Sequence, residues 1–517
     1  MAYRLHAFSD VGLNEALLRL VIDEHTTRVL PRLNKLWTYF RNPLRPIGLG
    51  GPSQDAWPRS GRWYRQAQEV GLPARVVGDR VGGTIALDDR FTRRREVVVE
   101  NDIAWRVQAM IDFMFGRPVR VRSTAKDAGL RERIERALDA VWEASGGIAL
   151  LQDAALLGHV YGHVDLILGM DEAALAARGG AGEPEGAALE ELLRGELAAS
   201  LRIEAVEPRR GIAVVDPDDW RRVLAYVIHY RRALNDPAGA PGSVLDRLLA
   251  RARGEVGSGA RRTGMVTRVI SGTRAQTYAD EGLVEDREQT LLGGRLPVVH
   301  IQNVSQPLSY EGLGEVEPLI PLQDELNTRL SDRASRVALQ SFKMYLAKGI
   351  EGFEKVAVGP GQIWSTDNPD AEVKEFGGDA HSPSEESHIL EIREAIDKVS
   401  GVPPLASGVV RAKLGNLTSA TALRITLMGM LAKTMRKRVT YGRGIAEMSR
   451  LVLAALDGAG LLRTGESDRG VRLEWPDPVP ADERDVIASV KAKAELGVPR
   501  GELLDQLGHA SVDSGIQ

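Results

Sequence analysis

The chain has 517 residues, of which 43% are hydrophobic and 27% charged, and its formal net charge is −4. A chain of this length can bury a sizeable core, and its near balance of charge excludes a protein that coats nucleic acid over its whole surface. The absence of cysteine excludes a disulfide framework, a thiolate zinc site and a cysteine nucleophile. Neither a signal-peptide pattern nor a run of about 20 apolar residues predicts a segment for membrane targeting or spanning.

The first third of the chain predicts several helices. Residues 12–40 have a helical pattern, whereas residues 43–92 are rich in Pro, Gly and Arg and predict loops with short strands. The segment 103–114 repeats apolar residues at helical spacing, and two more helices are predicted over 129–144 and 149–159.

Alternating apolar residues then predict a series of short strands. The strand-like runs are "YGHVDLIL", "LRIEAVE", "GIAVVD", "VLAYVIHY", "MVTRVIS" and "LPVVHIQN". Because turn residues separate them so closely, they indicate antiparallel sheet, and residues 1–312 are predicted to be mixed α+β. Residues 171–190, rich in Ala, Gly and Glu, are predicted to form a mobile insertion.

After Asn303 helices dominate the predicted structure. Apolar residues repeat every three or four positions up to Gln340 and predict a helix with one apolar stripe. Residues 341–381 predict a small module with β-strands, and Ser382 begins another helix, which Gly401 ends.

A very long helix is predicted next, over residues 419–458. Gly442 and Gly444 predict a kink within it. Shorter helices are predicted over 481–496 and 500–507.

No sequence motif predicts an enzyme, because the phosphate loop, dinucleotide, zincin and nucleophile-elbow patterns are all missing. The segment "HVYGHVD" would place His159, His163 and Asp165 on one face if it formed a continuous strand, which leaves a metal-dependent hydrolase as an alternative. Gly162 instead favours a bend between a helix and a strand, and no fourth ligand is evident.

The segment "SGVPPLASGVVRAKLGNLTSATALRITL" interrupts two helical regions with prolines, glycines and an asparagine. Its apolar and basic residues are candidates for packing between loops or for contact with a DNA duplex. They are Leu405, Val409, Val410, Arg411, Lys413 and Leu414. A solvated linker is the alternative for a loop of this composition.

Two further sets of residues are candidates for contact with other molecules. Basic residues concentrate on the predicted long helix and are candidates for a DNA-facing surface, with a solvated or intersubunit salt-bridged face as the alternative. These are Lys433, Arg436, Lys437 and Arg438. Phe353 and Trp364 are candidates for contact with partner proteins, with packing inside the small module as the alternative.

The order of these elements resembles that of the portal proteins of tailed double-stranded DNA bacteriophages. The resemblance covers residues 100–500 and depends more on the order of the motifs than on any one of them. The motifs are "NDIAWRVQAMIDFMFGRPVRV", "ALLGHVYGHVDLIL", "EVEPLIPLQDELNTRLSDRA" and "VSGVPPLASGVVRAKLGNLTSATAL".

The resemblance implies an α+β portal-type subunit with a mixed α/β wing, a two-helix stem, a small α/β clip, a long kinked helix and a helical crown. The implied regions are the wing (1–312), the stem helices (313–340 and 382–400), the clip (341–381), the tunnel loop (401–418), the long wing and crown helix (419–458), and the C-terminal wing return and crown (459–517).

The resemblance also implies a function, namely a ring of twelve subunits at one capsid vertex through which double-stranded DNA is packaged and ejected. The implied partners are other copies of the chain, DNA, the terminase ATPase, head-completion or adaptor proteins, tail proteins, and capsid and scaffolding proteins, with no membrane. No enzymatic activity, cofactor or metal is implied. The implied location is the virion, and the bacterial cytoplasm during assembly. A different phage head or connector protein of similar helical content is the structural alternative.

Overall fold

The structure is a computed structural model. In it the chain forms two compact units. The structure describes residues 3–46, 64–73, 76, 96–233, 263–340, 344–348, 369–376, 382–407, 420–479, 483–498 and 503. The first unit comprises Met1–Leu36, Arg106–Glu315 and Gly401–Gln517, and the second comprises Trp37–Trp105 and Val316–Ser400.

The fold is α+β, as predicted. The α-helices of the described residues are Glu15–Glu24, Leu30–Arg41, Asp102–Phe115, Ala128–Ala144, Gly147–Tyr161, Glu172–Gly179, Gly186–Arg194, Ile320–Gln340, Pro383–Ser400, Ala420–Thr426, Met428–Gly458 and Glu483–Glu495. Their strands are Leu44–Pro46, Tyr64–Gln66, Arg120–Ser123, His163–Met170, Leu201–Val206, Gly211–Val215, Val223–Ala233, Thr263–Ile270, Arg274–Ala279, Gly282–Glu288, Val298–Gln302, Met344–Lys348, Glu372–Phe376 and Val471–Glu474. None of the described helices is both long and apolar enough to cross a bilayer.

The first unit contains a five-stranded antiparallel sheet, as the alternating apolar runs predicted. Its strands run in the order 282–288, 274–279, 263–270, 223–233 and 211–215. The N-terminal segment covers one face of this sheet, where Phe8, Leu13 and Leu18 pack in one core with Val227 and Val269. Burial of these side chains holds the N-terminal segment on the sheet.

A smaller three-stranded sheet in the first unit lies against the longest helix. Its strand order is Val298–Gln302, His163–Met170 and Leu201–Val206, and the Met428–Gly458 helix packs on its first two strands. A Cβ atom on Gly444 would lie 2.4 Å from the Cγ1 atom of Ile301. Glycine at this position therefore permits the close approach of helix and strand.

One helix runs without interruption from Met428 to Gly458 through Gly442 and Gly444, and the kink predicted at these glycines stays a prediction. A break lies earlier, at Leu427, whose φ and ψ of −90° and 4° separate this helix from Ala420–Thr426. Gly444 serves the close packing on Ile301 described above.

The prediction of a mobile insertion at residues 171–190 is also wrong. The segment forms the helices Glu172–Gly179 and Gly186–Arg194, and the side chain of Asp171 caps the first by accepting a hydrogen bond from the Ala174 amide. Leu175 and Leu189 are almost fully buried. A few well-placed leucines thus order a segment whose composition alone indicated a flexible chain.

The second unit contains the two amphipathic helices that the sequence predicted. Ile320–Gln340 packs against Pro383–Ser400, and their buried apolar residues are Ile320, Leu326, Leu330, Ile389, Ile392 and Ile396. Between them in the chain, Met344–Lys348 pairs antiparallel with Glu372–Phe376. The predicted strand "QIWST" lies outside the described residues.

An extended segment, residues 96–102, runs along the Ile320–Gln340 helix and is held by polar side chains. Alternate backbone amides of the segment bond to helix side chains four residues apart: Glu96 N to Ser335 Oγ at 3.0 Å, Val98 N to Ser331 Oγ at 2.9 Å, Glu100 N to Asn327 Oδ1 at 2.9 Å and Asp102 N to Gln323 Oε1 at 3.0 Å. Two residues of extended chain span about 6.6 Å and four residues of helix about 6.0 Å, so the two periods match. These contacts place residues 96–102 in the second unit, although the sequence had assigned 1–312 to one region.

Candidate functional site

The loop predicted to enter a channel is described only at its base. Gly401 follows the Pro383–Ser400 helix with a φ of +69°, a left-handed conformation that favours glycine. Val402 is fully buried, and Leu405, in the 3₁₀ turn Pro404–Ser407, is half-buried. The candidates Val409, Val410, Arg411, Lys413 and Leu414 lie outside the described residues, as do Phe353 and Trp364.

A buried ionic cluster lies on the helix that follows this loop. One carboxylate oxygen of Glu315 pairs with the Lys433 ammonium, and the other lies 2.7 Å from Lys437 Nζ. The side chain of Glu315 is 4% exposed and that of Lys437 is 1% exposed. The Glu315 backbone amide donates to the carbonyl oxygen of His159 at 2.7 Å, so both its backbone and its side chain are fixed.

The pKa values in this cluster reflect burial opposed by charge. Burial raises the pKa of Glu315, but the lysines outweigh it and lower that pKa to about 2. Burial lowers the pKa of Lys437 to about 8, against the opposing attraction of Glu315. The cluster therefore favours the charged form of Glu315, because this carboxylate is the one anion between two cations. For Lys437, burial outweighs the attraction of Glu315 and disfavours the charged form.

The chain leaves the first unit after Glu315 and re-enters it at Gly401, and both of these residues lie near Lys433. Glu315 is the last residue of one segment of the unit and Gly401 the first of the next. Lys433 pairs with Glu315, and a Cβ atom on Gly401 would lie 3.8 Å from Lys433 Cδ. The first turns of the Met428–Gly458 helix thus anchor the chain on both sides of the segment 316–400.

One of the four basic candidates on this helix is buried, and the DNA-facing role of the other three stays a prediction. Lys437 is buried against Glu315, which corrects the expectation for that residue, and Lys433 makes the second ion pair. Arg438 donates to the Pro476 carbonyl oxygen at 2.8 Å and lies 5.1 Å from the centroid of the Trp475 ring. Of the four candidates, Arg436 alone is exposed.

The residues of the alternative metal site do not share one face. His159 lies in the helix Gly147–Tyr161, whereas His163 and Asp165 lie in the strand that follows. Gly162 separates them with a φ of +96°, so the predicted bend is confirmed. The described residues contain no group of three His, Asp or Glu side chains that could hold a metal ion.

The side chains of His159 and Asp165 are buried and make hydrogen bonds within the fold. Burial lowers the pKa of His159 to about 3. Asp165 accepts hydrogen bonds from Tyr226 Oη, Tyr310 Oη and His300 Nδ1, each at 2.7 Å. Burial raises the pKa of this carboxyl, but the donors and nearby histidines lower it to about 2. An ionised carboxylate with three donors has little capacity left for a metal ion or a proton transfer.

Sequence reasoning missed both Glu315 and the partners of Asp165. Lys433 and Lys437, four residues apart, share a helix face with the buried residues Met430 and Tyr441. Two lysines on a face that is otherwise buried indicate a buried acidic partner. That signal predicts an acid but cannot say which, because Glu315 is distant in sequence.

The order of elements from Ile320 to Gly458 is a helix, a pair of antiparallel strands, a second helix, a loop and a long helix. This order is typical of a head-to-tail connector subunit. A sequence profile of the family described as "Phage portal protein, SPP1 Gp6-like" matches residues 21–511. The chain therefore belongs to this family of phage portal proteins.

Comparison with solved structures finds chains that are similar to this one. One, in the neck of an empty gene transfer agent (GTA) particle computed with C6 symmetry, has 13% sequence identity and a TM-score of 0.40, with 79% of this chain and 90% of that chain covered. Another, in the virion of a native GTA particle, has 13% identity and a TM-score of 0.41, with 79% and 89% covered. No curated protein matches the sequence.

Proposed function

We propose that twelve copies of this chain form a ring at one capsid vertex, and that double-stranded DNA passes through the ring during packaging and ejection. The observation that carries the proposal is the family match over residues 21–511. The pair of amphipathic helices Ile320–Gln340 and Pro383–Ser400, joined through a β-hairpin and followed by a loop and a long helix, supports it.

The paired helices retain apolar side chains for contacts outside their own pair. Val337 on one helix is 41% exposed, and Leu390 and Val399 on the other are 53% and 46% exposed. In the proposed ring these helices form the stem, and such residues pack against the neighbouring subunits.

The charges near the loop suit a channel in which DNA must slide. Each phosphate contact by a free cation adds affinity through the release of counterions and would hold the duplex in place. Lys433 and Lys437 both pair with Glu315 within the subunit, and this carboxylate offsets one of their two charges. Arg411 and Lys413 are then the cations that we assign to the tunnel loop, 401–418, together with the apolar Leu405, Val409, Val410 and Leu414.

We assign the remaining partners by region. Residues 341–381, with Phe353 and Trp364, form a clip that docks the terminase ATPase during packaging and head-completion, adaptor and tail proteins afterwards. Capsid and scaffolding proteins surround the ring, which assembles in the bacterial cytoplasm and resides in the virion. The role of the chain is mechanical and needs no cofactor, because the terminase supplies the energy.

Imaging of purified particles, together with their native mass, tests the ring directly. We expect closed rings of about twelve subunits with a central hole, which is what a cyclic assembly requires. A stable monomer or dimer under assembly conditions would refute the proposal.

The role of the loop is tested by deletion of residues 404–416. The matched control replaces the same residues with a Gly/Ser linker of equal length, which keeps the connection but removes the side chains. We expect both variants to form rings and both to fail in packaging. Unimpaired packaging by the linker variant would show that the loop's side chains have no role.

A further inference from the structure

An exposed leucine stands at the tip of the loop 303–314 in the first unit. Leu308 is 86% exposed and has a φ of +60°. A left-handed backbone conformation is unfavourable for a branched residue, and Gly or Asn at this position would remove the strain. The loop thus maintains both an unfavourable backbone and an exposed apolar side chain at one position.

The buried side chain of Gln302 and the half-buried side chain of Tyr310 brace this loop. Gln302 Nε2 donates to the carbonyl oxygens of Ser309 at 2.8 Å and Gln306 at 3.3 Å, and its Oε1 accepts from the Gln306 amide at 3.1 Å. Tyr310 stacks on His300 with 3.8 Å between ring centroids, and its hydroxyl donates to Asp165. Leu308 is therefore presented by a preorganised loop, which lowers the entropy lost on binding a partner.

A second exposed apolar feature lies on the Met428–Gly458 helix. Met428, Met435 and Val439 are 65%, 59% and 61% exposed. Exposed Ala432 completes a spacing of four, three and four residues, which is the pattern of a helix seam that packs against a partner. We call Met428, Ala432, Met435 and Val439 the methionine stripe.

The loop and the stripe attach to opposite faces of the same helix. The ends of the loop are held by the inward face, where Tyr441 Oη bonds to Asn303 and Lys437 pairs with Glu315. Met435 and Val439 each precede one of these residues by two positions, which is about 200° around the helix. The anchored ends of the Leu308 loop and the methionine stripe thus lie on opposite faces of one helix.

From this arrangement we infer that the Leu308 loop of one subunit docks on the methionine stripe of the next copy of this chain. A cyclic ring needs a heterologous interface, in which two different patches on opposite sides of each subunit meet. A single branched side chain fits the flexible, polarisable surface that methionines form. The inference rests on the proposed ring and names an interface within it.

Cysteine pairs test the contact directly, because the chain has no native cysteine. We expect the L308C/M435C double variant, once oxidised, to give covalent oligomers up to the full ring on a denaturing gel. Each single variant should give none, since a heterologous contact places L308C of one copy beside Met435 of the next. The control pair L496C/M435C uses a leucine that is 84% exposed and should also remain monomeric on the gel.

A charge at the contact tests its energy. L308D should raise the subunit concentration needed for half-assembly by about tenfold or more, because docking would bury an unpaired carboxylate. L496D is the control and should leave that concentration unchanged. Circular dichroism of the monomers should be the same for both variants, which separates an assembly defect from misfolding.

The outcomes distinguish this inference from the proposed ring. Rings that form normally while L308C/M435C gives no crosslink overturn the docking and leave the ring intact. Crosslinked dimers from L308C alone overturn it as well, because they indicate an isologous contact. A chain that neither forms rings nor crosslinks overturns both proposals.

Discussion

Replacing Glu315 with glutamine tests whether the buried ionic cluster stabilises the first unit. The substitution keeps the volume of the side chain but removes the one negative charge between Lys433 and Lys437. The two ammonium groups would then lose the carboxylate that lies between them. The perturbation therefore isolates charge from packing.

The expected loss is large because removal of one partner from a buried ion pair costs about 3–5 kcal/mol. Replacing Lys437 instead of Glu315 should lower the free energy of unfolding much less. Lys437→Met removes a cation whose pKa burial has already lowered to about 8, and methionine would pack beside Met110, whose Sδ lies 3.3 Å from Lys437 Nζ. We expect this second variant to lose less than about 1 kcal/mol, because Glu315 still pairs with Lys433 and the cost of burying the Lys437 ammonium is removed.

Hydrogen exchange measured by mass spectrometry gives the local result. Peptides from the Met428–Gly458 helix should exchange on the order of 10²- to 10³-fold faster in E315Q, since each 1.4 kcal/mol is a factor of ten in the opening constant. Glu447→Gln is the matched control, because Glu447 on the same helix pairs with Arg450 at the surface. A surface pair is worth only about 0–1 kcal/mol.

The pH dependence gives an independent check of sign. Glu315 has a pKa lowered from 4.5 to about 2, so its contribution is present above pH 4.5 and is lost as the pH falls toward 2. Lys437 has a pKa lowered from 10.5 to about 8, so the unfolded chain binds more protons between these values and stability rises with pH across that window. The alkaline rise should disappear in K437M.

Two results would refute this reasoning. If E315Q exchanges no faster than the Glu447 control, the cluster does not hold the helix. If K437M is as destabilised as E315Q, the lysine is a net stabilising partner, and the assignment of burial as the dominant effect on it is wrong.

Two further pairs of substitutions test the fold that positions the site. Asn327→Ala should destabilise the second unit by about 1–3 kcal/mol in urea unfolding, because it leaves the partly buried amide of Glu100 without its hydrogen bond. Its control is Ser335→Ala, which removes an exposed hydrogen bond to the Glu96 amide and should cost under about 0.5 kcal/mol. Gly162→Ala should lower the yield of folded protein far more than Gly182→Ala. Both positions have a positive φ, but only at Gly162 would a Cβ meet a backbone atom, 2.3 Å from the Gly312 carbonyl oxygen. Equal effects within either pair would contradict the structural explanation.

Apolar periodicity predicted most of the elements, and polar contacts account for what it missed. The helices Ile320–Gln340 and Pro383–Ser400 could be located from the sequence because their buried faces consist of leucine and isoleucine at helical spacing. The position of residues 96–102 could not, because Gln323, Asn327 and Ser331 have no periodic hydrophobic signal. Polar side chains in such positions predict a solvated helix face, although Gln323, Asn327 and Ser331 are all buried.

The buried contacts of the candidate site could not be predicted from the sequence either, and here this affects the functional interpretation. A run of cations on a helix predicts either a nucleic-acid surface or a solvated face, and sequence cannot separate these from a buried pair without the position of the acid. Here Glu315 decides the matter for Lys433 and Lys437. Both lysines pair with Glu315, and the stem of Lys433 lies beside Gly401, so their charge serves anchoring within the subunit. In the ring that we propose, the loop joins the body of the subunit at this junction, and a sliding duplex would favour few free cations there. Glu315 offsets one of the two lysine charges at the junction and holds both side chains within the subunit.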